Sequence, residues 1–142
     1  MSAEAPAFVD TNVLVYAFDR SDSLKKSAAE RLLRELMDSD RLRLSTQVLQ
    51  ELFVTLTRKV QRRCSNEEAR AVLEDLAAWP LVTIDYAAIC AAIGLSGQSE
   101  ISFWDSLVVV AAARSGAAVL YTEDLKDGQE ILGVRVRNPF VV

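Results

Sequence analysis

Hydrophobic and polar positions follow two alternating rhythms along the chain. Short apolar runs bounded by polar residues read as strands, and longer stretches with an apolar residue every third or fourth position read as helices. Ala7-Phe8-Val9 forms the first strand, ending at Asp10, and residues 11–18 form a short helix. From 22 to about 37, Leu24, Ala28, Leu32, Leu33 and Leu36 recur between Lys25, Lys26, Glu30, Arg31 and Arg34. That spacing predicts a surface helix with one buried stripe. Arg41-Leu42-Arg43-Leu44 alternates like a half-buried strand. Ser45 or Thr46 can cap the following helix, whose apolar face is Val48, Leu49, Leu52, Phe53, Leu56 and Val60.

The second half repeats the theme. Asn66 is placed to cap a helix over 67–78, with Glu67 and Glu68 in the first turn where the helix dipole favours acids, and Trp79-Pro80 ends it. Leu81-Val82-Thr83-Ile84 is a candidate strand, and Asp85 caps an alanine-rich helix through 95 that Gly94 and Gly97 are expected to break. After Ser102, the run Leu107-Val108-Val109-Val110-Ala111-Ala112-Ala113 is apolar on every face, so this helix belongs in the centre of the molecule. Ala117-Ala118-Val119-Leu120-Tyr121 reads as a strand, and Val134-Arg135-Val136 as a last edge strand before Asn138-Pro139. Strands alternate with helices and no linker or repeat intervenes. The reading is therefore one α/β domain over 1–142 with a mostly parallel sheet, preceded by a disordered tail at 1–6.

Composition narrows the chemistry. The 142 residues are 51% hydrophobic and 25% charged, and no apolar run approaches the ~20 residues of a membrane span. The N-terminus lacks a basic stretch followed by an apolar core, so a cytosolic, membrane-free protein is expected. Cys64 and Cys90 lie 26 positions apart with no paired motif, so they read as small apolar residues and not as a disulfide or a zinc site. There is no histidine. Its absence excludes Ser-His-Asp and Cys-His triads, the HExxH zinc site and histidine general-base catalysis together. Chemistry must rest on carboxylates.

Three acids stand where such chemistry is served. Asp10 follows a strand, Asp105 lies in the first turn of the all-apolar helix, and Asp124 follows the strand at 117–121. The carboxyl edge of an open α/β sheet is where ligands bind, so the three can converge on one cleft. Clustered carboxylates raise one another's pKa unless a cation neutralises them, and an all-oxygen donor set suits Mg²⁺ or Mn²⁺. Each acid also has a plain structural reading: Asp10 as an N-cap, Asp105 as the third residue of a capping box begun at Ser102, Asp124 as a turn residue. Glu51 falls away from the centre of its helix's apolar face, and periodicity alone places it in solvent.

Four segments, Val9-Asp10-Thr11-Asn12-Val13-Leu14, Gln50-Glu51-Leu52, Phe103-Trp104-Asp105-Ser106-Leu107 and Leu120-Tyr121-Thr122-Glu123-Asp124-Leu125, occur in order, their acids separated by 41, 54 and 19 residues. Together they resemble the PIN domain, most closely the VapC-type ribonuclease toxins of bacterial toxin–antitoxin pairs. The resemblance implies a three-layer fold with a sheet of about four to five strands flanked by helices. It implies an endoribonuclease whose catalytic acids are Asp10, Glu51, Asp105 and Asp124. Asp10, Asp105 and Asp124 become the ligands of Mg²⁺ or Mn²⁺, and Asn12 and Thr122 become supporting polar residues. It further implies an RNA substrate, a homodimer and a cognate antitoxin.

The net charge of −4 gives no general attraction to RNA. Arg58, Lys59, Arg62 and Arg63 concentrate four cations in six positions and form the candidate RNA contact, or else a solvated helix end. Aromatic residues are 7% of the chain, which does not indicate base stacking. Other readings are weaker. A haloacid-dehalogenase-like site needs an acid at position 12, which is Asn12, and a receiver-like site needs a lysine after the strand that ends at Tyr121-Thr122-Glu123. A non-toxin PIN nuclease or a silent RNA- or protein-binding PIN module is the alternative to the toxin reading.

Overall fold

A computed structural model describes residues 4–21 and 24–141. Thirteen elements follow in chain order among them: β1 (Ala7–Val9), α1 (Thr11–Phe18), α2 (Lys26–Asp38), β2 (Leu42–Ser45), α3 (Thr46–Val54) with a π-helical continuation at Thr55–Lys59, α4 (Asn66–Leu76), β3 (Leu81–Val82), α5 (Tyr86–Gln98), α6 (Phe103–Arg114), β4 (Val119–Tyr121), β5 (Glu130–Ile131) and β6 (Val134–Arg137). The sheet runs β3-β2-β1-β4-β6-β5, and every pairing is parallel except β5 with β6. The expected α/β class holds, with six strands in the sheet.

The order of the strands positions everything that follows. The chain steps outward from β1 to β2 and β3, then returns to lay β4 against the other side of β1. Right-handed crossovers in the two directions put α1 to α4 on one face and α5 with α6 on the other. β1 and β4 are thus the neighbours at which strand order reverses, and their carboxyl ends open the crevice typical of such sheets. β1 itself is fully buried, Phe8 and Val9 at 0% exposure.

α6 explains its own sequence. Val109, Ala111 and Ala112 join the main core, while Leu107 and Val110 close a second cluster with Ala88 and Ala92 of α5. A helix packed on both sides has no use for a polar face. The capping expectations also hold at Ser45, whose hydroxyl accepts from Val48 N at 3.2 Å, and at Asp85, which accepts from Ala88 N at 2.8 Å.

Several expectations are corrected. Asp22 lies outside the described residues, and Leu24 is fully exposed in a turn before α2, so the buried stripe is Ala29, Leu33 and Leu36. The cap of α4 is Ser65, not Asn66: Ser65 and Glu68 form a reciprocal capping box. Gly94 and Gly97 do not break α5, which runs through both to Gln98. β6 is not an edge strand, because β5 pairs on its outer side. Cys64 packs against the core, but Cys90 is exposed. Residues 1–3 of the expected tail lie outside the described part; 4–6 have no regular structure, yet the Pro6 carbonyl accepts from Ala118 N at 2.9 Å.

Candidate active site

Asp10 is held from several directions at the end of β1. Its backbone N–H donates to the Tyr121 carbonyl at 3.0 Å, which ties the ends of β1 and β4 together. Its backbone is extended, and Oδ1 accepts from Thr11 N at 2.7 Å, so it caps α1 as well as facing the crevice. Oδ2 accepts from the Thr122 hydroxyl at 2.9 Å and from Asn12 Nδ2 at 3.4 Å. Asn12 also donates to Thr122 Oγ1 at 3.0 Å and accepts from Glu123 N at 3.2 Å. Thr122 Oγ1 accepts in addition from Asp124 N at 3.2 Å. Asn12 and Thr122 therefore form one network that fixes Asp10 and the start of the turn carrying Asp124.

The other acids arrive from two helices and that turn. Glu51 is exposed on α3, and its Oε1 accepts from the Thr11 hydroxyl at 3.0 Å. Asp105 is half-buried in the first turn of α6, its backbone N–H donating to Ser102 Oγ at 3.0 Å, as the capping reading expects. Asp124 is exposed in the loop after β4. All four line a single cavity of about 590 Å³. The periodicity of α3 correctly places Glu51 outside the core, and the outside at that point is the cleft.

Charge is concentrated there. Burial pushes the Asp10 carboxyl from 3.8 up to about 7, against the lowering effect of the Thr11 and Thr122 hydrogen bonds, and the charges of Glu51 and Asp124 push it further. Asp105 is also raised, first by burial and then by the charge of Asp124. Among the described residues, no group of three or more acidic or thiol side chains is arranged to hold a metal ion unaided. The donor chemistry nevertheless fits a hard divalent cation: the donors are all oxygens, and repulsion among them is what such an ion relieves. Mg²⁺ in particular is held by one or two carboxylates, with water and substrate phosphate completing its shell.

The basic cluster is divided. Lys59 lines the cavity at the end of the π-helical turn. Arg62 Nη1 donates to the Arg20 carbonyl at 3.1 Å, the Arg63 carbonyl accepts from Arg20 Nη2, and Arg58 is exposed outside the cavity lining. Sequence reasoning missed other lining residues, among them Tyr16, Gln47, Trp104 and Glu123. Tyr16 donates to Glu123 Oε1 at 3.1 Å, and Lys25 pairs with Glu123 Oε2 at 2.7 Å. Despite the low aromatic content, two aromatic side chains line the cavity, Tyr16 and Trp104, the latter 63% exposed.

An acidic cleft at the point where a parallel sheet reverses its strand order defines an α/β domain with its ligand site at the carboxyl edge. The chain belongs to the PIN domain family, whose model matches residues 7–126 and so includes all four acids. No curated protein matches the sequence. Among solved structures, it is similar to a chain of a toxin–antitoxin complex from Klebsiella pneumoniae, at 18% identity and a TM-score of 0.71, covering 96% of this chain and 99% of that one. It is similar to the sarcin-ricin loop cleaving toxin VapC20 of Mycobacterium tuberculosis, at 18% identity, a TM-score of 0.64 and coverage of 83% and 91%. It is also similar to a chain of DNA-bound VapBC from Salmonella typhimurium, at 17% identity, a TM-score of 0.67 and coverage of 96% and 99%. At these identities the likeness establishes a shared fold.

Proposed function

We propose that the protein is a divalent-metal-dependent endoribonuclease and the toxin of a toxin–antitoxin pair. The observation that carries this reading is the meeting of Asp10, Glu51, Asp105 and Asp124 in one cavity of a PIN domain. The absence of histidine supports it, since few other groups here can activate a nucleophile. Its solved relatives include VapBC assemblies and a sarcin-ricin loop cleaving toxin, which supports a cognate antitoxin as a partner; a second copy of the chain and a cytoplasmic setting belong to the same proposal.

Mg²⁺ or Mn²⁺ would be held from among Asp10, Asp105 and Asp124, one or two carboxylates at a time with water and substrate phosphate completing the shell, and would supply a lowered pKa for bound water and screening of the scissile phosphate. Glu51, anchored through Oε1 to Thr11, orients the attacking water and accepts its proton. Asn12 and Thr122 keep the Asp10 carboxylate in place, and Lys59 counters the charge of the phosphate backbone. Asp105→Asn keeps the shape of the side chain and removes its charge. Purified protein is expected to cut total RNA with Mg²⁺ or Mn²⁺ and to lose that activity with EDTA and in Asp105→Asn. Expression should arrest growth in the wild type only. Cleavage that survives both controls would overturn the acidic pocket as the site, and no cleavage despite metal binding would leave a silent binding module.

A further inference from the structure

Trp104 is the largest apolar side chain left open at the site. It is 63% exposed on the second residue of α6, immediately before Asp105, and lines the same cavity as the four acids. Its position is fixed without being covered. The Phe103 ring meets it edge to face, with centroids 5.3 Å apart and planes at 73°. The Trp104 carbonyl accepts from Nε2 of Gln47 at 3.4 Å, and Gln47 is itself 6% exposed. A ring held out to water on a braced turn contributes little to the fold.

What flat group belongs on it follows from its neighbours. Four acids and Lys59, the one cation lining the cavity among the described residues, address a phosphodiester. The nearest group to a phosphodiester in RNA that offers an apolar face is a nucleobase, joined to it through the ribose. Resting on the ribonuclease reading, we infer that Trp104 is the stacking platform for an unpaired base flanking the scissile phosphate. In a duplex both faces of every base are already stacked, so the preferred substrate is RNA with a splayed or single-stranded base at the cut. Gln47 is a positioning residue, bracing the turn that presents both Trp104 and Asp105.

The test uses the full chain with cleavage silenced by Asp10→Asn, in Mg²⁺, and a short fluorescein-labelled RNA of mixed sequence, single-stranded or annealed to its complement. The single strand should bind more tightly than the duplex and quench tryptophan fluorescence. Trp104→Leu should weaken binding on the order of 10-fold and abolish the quench, while Trp104→Phe restores most of the affinity. Unchanged affinity in Trp104→Leu, or equal binding of duplex and single strand, would overturn the inference and leave the ribonuclease reading standing. Loss of self-association instead of RNA affinity would assign the ring to an interface between copies and overturn it too. No binding of either RNA by any variant would sink both readings together.

Discussion

Asp10 shows what a single side chain carries in this molecule. It caps a helix, joins two strand ends and supplies a buried carboxyl to the cleft, and its raised pKa means that the metal-free fold holds it protonated at a cost. Between pH 3.8 and about 7 the unfolded chain has released this proton while the folded chain keeps it. The native state then binds more protons, so stability falls as pH rises through that window and levels off above it. The span amounts to roughly 4 kcal/mol. Denaturant unfolding in EDTA should show this decline in the wild type, and Asp10→Asn should lack it; parallel curves would mean that Asp10 is not held protonated. Asp10, Asp105 and Asp124 were legible in the sequence because strand ends and helix starts are. Gln47 and Trp104 were not, because an amide in a first turn and an aromatic beside an apolar run look like ordinary packing until the chain closes around them.

Elements were legible where one cause fixes them. α6 follows from an apolar run with no polar face, and α5 from Asp85 and its alanines. The misread boundaries are those where the local cost is small. Glycine inside a helix costs only about 1 kcal/mol, which the packing of Ala88 and Ala92 on α6 outweighs, so Gly94 and Gly97 do not stop α5. The π-helical turn that brings Lys59 to the cleft has no periodic signature in five residues. β5 is two residues long and exists because a tight turn folds it onto β6. That turn carries a strain of its own: Leu132 has φ +50° and Gly133 φ +78°, and Leu132 is 56% exposed. Two positive φ values suit Asn-Gly far better than Leu-Gly. Leu132→Asn should therefore raise stability by about 1 kcal/mol, read as a higher denaturant midpoint with unchanged slope. An unchanged or lower midpoint would show that Leu132 makes a compensating contact.

At the scale of the whole molecule, the proposed RNA binding by a chain of net charge −4 should depend little on bulk charge. Of the four clustered cations only Lys59 lines the cleft. The salt dependence of single-strand binding should then correspond to one or two phosphates, a log–log slope of about −1, whereas engagement of all four would give about −3. Anisotropy titrations over a range of KCl separate the two. The overall class was readable from the alternation of strands and helices, but the pairing of β1 with β4 was not, since nothing local says that a strand near the end will lie beside the first. That pairing has a further consequence. The Asp10 network is closed by Thr122, 112 positions later. A ribosome making this protein releases Asp10 and Glu51 long before Asp105 and Asp124, and until β4 has emerged there is no crevice for them to share. On the ribonuclease reading, the nascent chain cannot assemble its cleft, and so cannot cut RNA, before β4 has emerged and paired with β1.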